Sequence, residues 1–445
     1  FDGQDLLRLP EREMKRIRVG LIGLGTVGTG FVKALRANRP VLRERLGIDL
    51  ELALVADRNW RARRAVSIPP SRRLSDARAL LADPSIDIVV ELIGGCGAAR
   101  AYVLEALRRG KGVVTANKAL LAEHGREVLG LARERRADLY YEASVCGAIP
   151  IIKALREGFA SNRVDSIFGI VNGTCNYILS RMTGSGIGFS EALREAQRLG
   201  YAEADPSLDI DGLDSAHKLA ILSTLASGSW VPARAVYAEG IRRVTQLDIR
   251  FAEEFEYVIK LLAIFKRHGG RVDARVHPTL IPRSHLLASV GGAFNAVCVN
   301  GYPAGEIVLY GSGAGRDPTA SAVLGDVIDI ARNIERGCCG RVPPVAARVG
   351  ATRVRPIGEI ETQYYLRFSV VDRPGVLARI TGILGAQQIS IASVLQTERR
   401  IGGVVPVVLM THRAREANVR RAIARIDRLA DVRDRTALIR VEERV

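Results

Sequence analysis

Between Arg16 and Glu142, short β-branched runs alternate with stretches in which apolar residues return every three or four positions. The runs Ile17–Gly23, Leu50–Ala56, Ile86–Leu92, Gly112–Thr115 and Leu139–Glu142 read as strands, with helices between them at 29–37, 74–82, 98–109 and 119–136. Strands alternating with helices imply a parallel sheet covered on both faces, so residues 1–145 are expected to form a doubly wound α/β domain. Beyond Ala148 the order changes. A helix at 151–158, a strand at 164–171, helices at 174–182, 190–199 and 212–226, and strand-rich runs between 236 and 310 suggest an α+β domain with an open sheet over 146–316. A helix at 317–335 is expected to return to the first domain, and the Pro-containing stretch 341–360 reads as a linker. In 361–445 the runs 364–371, 389–396, 403–410 and 435–441 are separated by helices at 374–386 and 414–428. That order, β-α-β-β-α-β, is ferredoxin-like.

Composition narrows the class. The chain has 445 residues, 47% hydrophobic and 25% charged, which suits a globular protein of two or three cores and excludes disordered or collagen-like classes. No apolar run approaches eighteen residues, and no basic-apolar-small leader opens the chain, so a cytoplasmic protein without a membrane partner is expected. Met14-Lys15-Arg16 stands directly before the first strand, which marks either the true start or a fragment. Six cysteines show no CxxC spacing, and only Cys338 and Cys339 are adjacent; reduced thiols are expected rather than a zinc site. The net charge of +17 is spread along the chain without interleaved aromatics, which argues for a solvated basic surface and against nucleic acid.

The first strand runs into Gly23-Leu24-Gly25-Thr26-Val27-Gly28 and then a helix. In that context Gly23 permits a tight turn, Gly25 lets backbone N–H groups approach a pyrophosphate, and Gly28 allows close helix–strand packing. The helix start at Thr26 and Val27 offers unpaired N–H groups to the anion. A Rossmann-type site for NAD or NADP follows. The second strand ends in Asp57-Arg58, where an acid would hold a ribose 2′-hydroxyl and an arginine a 2′-phosphate. Asp57 lies twenty-nine residues beyond Gly28, against a usual spacing of about twenty. The basic run from Arg58 to Arg64 tilts the expectation towards NADP. The turn Gly311-Ser312-Gly313-Ala314-Gly315 is either a second wall of the coenzyme site, through Gly313, or a flexible turn before a helix.

Gly112–Thr115 continues into Ala116-Asn117-Lys118, at the strand edge where ligands sit in open α/β sheets. Lys118 there reaches substrate and coenzyme, or else is a solvated surface lysine. Glu142, ahead of the small-residue loop Ala143–Ala148, can gather backbone carbonyls around a hard cation, or cap the helix near Pro150.

Residues 200–218, GYAEADPSLDIDGLDSAHK, pack five carboxylates before one lysine. If 212–226 is helical, Asp214 and Lys218 share a face, and a surface ion pair of about 0.3–0.5 kcal/mol is the plain account, with Asp209 or Asp211 as a cap. That account leaves Glu203 and Asp205 unexplained. A site for a cationic small molecule, with Lys218 as acid/base and the carboxylates around the ligand's ammonium, explains more of the stretch.

The span Ala196–Lys218, through Gly200, Tyr201, Ala202, Asp205-Pro206, Asp209-Ile210, Gly212, Asp214 and Lys218, resembles the homoserine dehydrogenase signature. The resemblance extends to Gly23–Gly28, Glu91–Gly95, Val114–Lys118, Tyr141–Ile152, Asn172–Tyr177 and Gly313–Asp326, and the C-terminal unit resembles an ACT domain from Asp372-Arg373-Pro374-Gly375 onward. It implies NAD(P)-dependent interconversion of L-homoserine and L-aspartate 4-semialdehyde, on the way to threonine and methionine. It implies Lys218 as proton donor, Lys118 as a second active-site lysine, and Glu203, Asp209, Tyr201 and Thr174 beside the substrate, with Asp214 in support. It also implies a sodium or potassium ion held by Glu142 and main-chain oxygens of Val145, Gly147 and Ile149. Cys146 and Ala148 stand where the pattern has glycines, Ser312 where it has proline, and the segment after Gly94-Gly95 lacks the usual proline. An ACT unit usually pairs with a second copy, so a homodimer or homotetramer is expected, with L-threonine as effector at the helix that Asp372 caps and Pro374 opens. Two rivals remain: a phosphorylating semialdehyde dehydrogenase built on a nucleophilic cysteine, and an amino-acid sensor whose dehydrogenase core is inactive.

Overall fold

The computed structural model of the chain describes residues 14–345, 352–396 and 403–443. The part of the expected linker at 346–351 lies outside the described residues. The chain divides into two compact units: the described residues of Phe1–Ala160 with Ala314–Arg348, and those of Ser161–Gly313 with Val349–Val445.

The first unit opens with β1 (Lys15–Ile22), α1 (Thr26–Leu46), β2 (Ile48–Ala56), β3 (Arg73–Leu74), α2 (Ala77–Ala82), β4 (Ile88–Glu91), α3 (Gly97–Arg108), β5 (Gly112–Thr115), α4 (Lys118–Glu134) and β6 (Leu139–Tyr140). Its six strands are all parallel in the order β3-β2-β1-β4-β5-β6, so the strand order reverses between β1 and β4, where a doubly wound sheet opens a crevice. The apolar runs of β1, β2, β4 and β5 are buried on both faces, which is why they read as continuous rather than alternating. Helix α1 runs well past the expected end at 37 and contains Pro40. Arg39 and Arg43 on one face both grip Asp49 in bidentate pairs, and those hydrogen bonds hold the Asp49 carboxyl well below the usual range. This clamp spans the proline, and the helix stops only at Gly47, whose φ of +65° suits glycine. A short helix, α5 (Ile151–Lys153), continues as a π turn to Gly158.

The second unit starts with β7 (Arg163–Ile170), α6 (Gly173–Ser185), α7 (Phe189–Arg198), α8 (Ser207–Ile210), α9 (Leu213–Ser227), β8 (Tyr237–Ala238), α10 (Gln246–Glu254), β9 (Tyr257–His268), β10 (Arg271–Pro282), β11 (Phe294–Tyr302) and β12 (Gly305–Ser312). Helix α11 (Arg316–Glu335) then belongs to the first unit, where Gly30 of α1 lets it approach: a Cβ there would lie 2.8 Å from Arg316 and 3.1 Å from Ala320. The second unit resumes at β13 (Arg353–Val354), β14 (Glu361–Val371), α12 (Val376–Ala386), β15 (Ile391–Leu395), β16 (Val404–Thr411), β17 (Ala414–Arg415), α13 (Glu416–Ile426) and β18 (Ala437–Val441).

The β-α-β-β-α-β order of the C-terminal part is present with its own core around Tyr364, Leu366, Phe368, Ile380 and Leu409. Its sheet is not separate. Strand β18 pairs parallel with β10, Thr279 opposite Arg440 and Leu280 opposite Val441, so one sheet runs β12-β11-β7-β9-β10-β18-β14-β16-β15. The expected Asp372 cap is not made: α12 begins at Val376, its N-cap is Gly375 at φ +87°, and no side chain caps it. The N-cap position falls on Gly375, three residues after Asp372, rather than on the aspartate itself. Among the described residues no helix is long and apolar enough to cross a membrane.

Candidate active site

In the first unit the turn after β1 follows from its three glycines. Gly23 has φ +99°, and a Cβ on Gly28 would lie 2.1 Å from Gly23 O. In front of Gly25, the N-cap of α1, a Cβ would meet nothing within 4 Å. A helix start with open space before it fits a dinucleotide pyrophosphate. The Asp57 carboxylate is already engaged. It accepts from Leu24 N (2.7 Å), from Asn59 N (2.8 Å) and from Arg64 Nη2 (2.8 Å), while Arg64 Nε donates to Leu24 O (2.9 Å). Arg58, beside it, is exposed and has no ion pair among the described residues.

Lys118 is the first residue of α4. Its place is set by a buried network at the carboxyl ends of β4 and β5. Glu91, fully buried, accepts from Ile93 N, Gly94 N and Thr115 Oγ1 (2.6 Å). The Asn117 side chain caps α4 through Leu120 N and donates to Gly95 O (2.6 Å). Glu91 thus holds the turn of one strand and the start of the helix after the next.

Glu142 is buried and its two carboxylate oxygens accept from Ile152 N and Lys153 N, each at 2.8 Å, so it does cap the helix at Pro150. Burial nevertheless pushes its carboxyl up to about 7. Asp326 of α11, which accepts from Glu142 N (2.8 Å), is pushed well up by burial and by Glu142. The carbonyl oxygens of Val145 and Gly147 accept no hydrogen bond among the described residues, while Ile149 O takes Ile151 N (2.8 Å). Cys146 has φ +57°, the conformation for which a glycine would be the ordinary choice.

In the second unit the carboxylate-rich stretch divides its work. Asp214 is in the first turn of α9, whose N-cap is Gly212 rather than Asp209 or Asp211. Lys218 Nζ lies 2.8 Å from Asp214 Oδ2 and donates to Val171 O (2.7 Å); the side chains are 12% and 4% exposed, so this is no surface pair. Asn172, the N-cap of α6, donates from one amide nitrogen to both Asp209 Oδ1 (2.7 Å) and Asp214 Oδ2 (2.8 Å), and its oxygen accepts from Cys175 N. Thr174 Oγ1 donates to Tyr201 O (2.6 Å) and lies 3.2 Å from Asp209 Oδ2. Asp211 is taken by Arg242, and Asp205 caps the turn at Ser207. Glu203 is exposed, with no side-chain partner among the described residues. Cys175 is buried and its thiol is pushed well up, chiefly by burial, which removes it as a thiolate nucleophile. Gly313 makes room for Asn295: a Cβ there would lie 2.0 Å from the amide nitrogen of Asn295, itself 1% exposed.

The second unit therefore brings Lys218, Asp214, Asp209, Thr174 and Tyr201 together, and the first unit carries Lys118, Glu142 and the glycine turn. Reading by residue type missed Asn172, Glu91 and Arg64 as site residues. Their hints were the end of β4 for Glu91, a place two residues beyond β7 for Asn172, and for Arg64 the basic run after β2.

A family model described as homoserine dehydrogenase matches residues 150–328, one described as the homoserine dehydrogenase NAD binding domain matches 23–142, and an ACT domain model matches 364–431. The chain is similar to the homoserine dehydrogenase of Neisseria gonorrhoeae, at 45% identity over 432 residues, 96% of this chain and 99% of that one. A crystal structure of a homoserine dehydrogenase from Thiobacillus denitrificans matches with a TM-score of 0.90 at 44% identity, covering 97% of this chain and 99% of that chain. A hyperthermophilic archaeal homoserine dehydrogenase in complex with NADPH matches with a TM-score of 0.60 at 26% identity, over 71% of this chain and 97% of that chain.

Proposed function

The chain belongs to the homoserine dehydrogenase family, and on that premise we propose how its own residues carry the reaction between L-homoserine and L-aspartate 4-semialdehyde. When bound, the nicotinamide coenzyme supplies or accepts the hydride at the reacting carbon. Lys218 gives a proton to the aldehyde oxygen in reduction and takes it back in oxidation. The observation that carries this is the buried Lys218–Asp214 contact of 2.8 Å, which fixes the rotamer of the lysine. Asn172 joins Asp214 to Asp209 and keeps two like charges side by side. Lys118, at the helix start beyond β5, is the second lysine of the site, and Tyr201 and Thr174 line the substrate's place.

Glu203, exposed and without a side-chain partner among the described residues, is suited to the ammonium of homoserine. Glu203→Gln is expected to raise KM for homoserine about tenfold, because a charge-assisted bond of about 1.5–3 kcal/mol becomes a neutral one. An unchanged KM rejects that role.

Coenzyme choice follows from Asp57. With three donors on its carboxylate and Arg64 against it, it is a poor acceptor for a ribose hydroxyl, whereas Arg58 stands ready for a 2′-phosphate. We therefore favour NADP, in line with the archaeal relative's NADPH complex. Homoserine oxidation followed spectrophotometrically should show a lower KM for NADP than for NAD, and Arg58→Ala should raise the NADP value several-fold with little effect on NAD. Preference for NAD in the parent chain overturns the reading.

A sodium or potassium ion fits Glu142 with the main-chain oxygens of Val145, Gly147 and Ile149, since two of those carbonyls have no other partner among the described residues and a cation would stabilise the charged form of the buried carboxylate. Replacing both ions by tetramethylammonium at equal ionic strength should lower Tm; an unmoved Tm speaks against the site.

For the ACT part we propose amino-acid regulation with L-threonine, the pathway's end product, as inhibitor, in a homodimer or larger assembly. Assay of the full chain with and without L-threonine tests it.

A further inference from the structure

Between α13 and the segment from Tyr237 to Val244 lies a cavity of about 590 Å³, within the range of small-molecule sites. We propose that this cavity, inside one chain and at the seam of the ACT part with the substrate domain, binds a small zwitterionic amino acid. The inference rests on the reading that this enzyme answers to an amino acid. It places the site at this seam rather than at the start of α12.

The charges that line the cavity are of two kinds. Several are already matched: Arg242 holds Asp211, Arg420 holds Glu416, and Arg367 holds Asp248. Three are not. Arg243 and Arg435 line the cavity without an ion pair among the described residues, and Asp427 accepts only from Thr436 N and Oγ1 (3.1 and 2.5 Å), with no cation. Unmatched guanidinium groups suit an α-carboxylate, and the carboxylate suits an ammonium. Ile423 and Leu438 give an apolar wall for a short side chain.

The walls are fixed and lead to the chemistry. Arg440 of β18 is fully buried and binds Glu416 of α13 (2.6 and 2.9 Å) and Glu239 (3.1 Å), so α13 is tied to the 237–244 segment. Arg420 donates to Tyr237 Oη (2.8 Å), which donates to Glu239 (2.7 Å). The next residue, Gly240, is pressed against the substrate domain: a Cβ there would lie 1.9 Å from Ile210 O, to which Ile241 N also donates (2.9 Å). Ile210 directly follows Asp209 and stands two residues before Gly212, the N-cap of the helix that bears Asp214 and Lys218. A ligand that shifts the segment therefore bears on the carboxylates that Asn172 joins.

The test uses the full chain. Each of the twenty L-amino acids is added singly, and Tm is recorded together with dehydrogenase activity. At least one is expected to raise Tm. The double variant Arg243→Ala with Arg435→Ala should lose that shift and weaken any inhibition by the same compound at least tenfold, with kcat and KM for homoserine unchanged in its absence. Asp427→Asn should weaken both readouts less. Loss with an amino acid other than threonine supports the cavity and rejects threonine as effector. Threonine inhibition that survives the double variant overturns the cavity and leaves the threonine reading standing. If no amino acid moves Tm, or if the shift persists in the double variant, the site is overturned.

Discussion

Replacement of Lys218 by alanine is expected to lower kcat for homoserine oxidation by about 10²–10⁴-fold, the usual contribution of a positioned acid/base group. The coenzyme Kd should not change, because the glycine turn proposed to receive the dinucleotide is in the other unit. The size of the effect follows from geometry. Lys218 is mostly buried, and its contacts with the Asp214 carboxylate and the carbonyl of Val171 hold one rotamer. Stopped-flow hydride transfer and coenzyme titration check the two halves of the prediction. A variant with near-parental turnover removes Lys218 from the chemistry, and a lost coenzyme affinity would make its role structural.

Replacement of Arg440 by alanine is expected to destabilise the second unit by about 3–5 kcal/mol, the cost of leaving a buried charge without its partner. Arg440 is fully buried, Glu416 is fully buried, and two hydrogen bonds of 2.6 and 2.9 Å join them. Glu239 adds a third contact across the seam, and Arg275 and Lys266 hold Glu442 at the end of the same strand, each at 2.5 Å. With several cores in one chain a single unfolding transition is not assured, so the measurement is the denaturant midpoint of the transition that the variant moves. The paired replacement Arg440→Met with Glu416→Leu should recover part of the loss, since the penalty lies in the stranded charge rather than in a missing attraction. A single variant within about 0.5 kcal/mol of the parent would show that water reaches Glu416, as at an ordinary surface position.

The two variants also separate the parts of the protein. Lys218→Ala should fail at chemistry while leaving the Arg440–Glu416 contact in place. Arg440→Ala should keep the Lys218–Asp214 contact, some distance along the chain, yet loosen the β10–β18 seam and with it any response that passes through Glu239.

Much of this was legible in one dimension, because it depends on local rules. The period of apolar residues decided strands against helices, and the change from alternating to clustered elements beyond Ala148 suggested a new architecture, whereas the first compact unit runs on to Ala160. The glycine spacing after β1 is a local steric demand, and the structure meets it at Gly23 and Gly28. The spacing of Asp214 and Lys218 put them on one helical face. What the sequence could not disclose are pairings made across distance. Asn172 has no periodic relation to Asp209 or Asp214, and only the tertiary approach of the start of α6 to residues 209–214 makes it their common donor. The capture of Asp57 by Arg64 depends on how the loop after β2 folds back. The start of α12 was decided by Gly375, which takes the N-cap position at φ +87°, rather than by Asp372. Pro40 should end a helix by local rules, and two arginine clamps on Asp49 overrule it. The largest surprise, one sheet shared by the substrate domain and the ACT part, rests on residues 279–280 meeting 440–441. Local propensity determined that both segments would be strands, but which strand lies beside which is set by long-range packing and buried charge, and that only the tertiary structure decided.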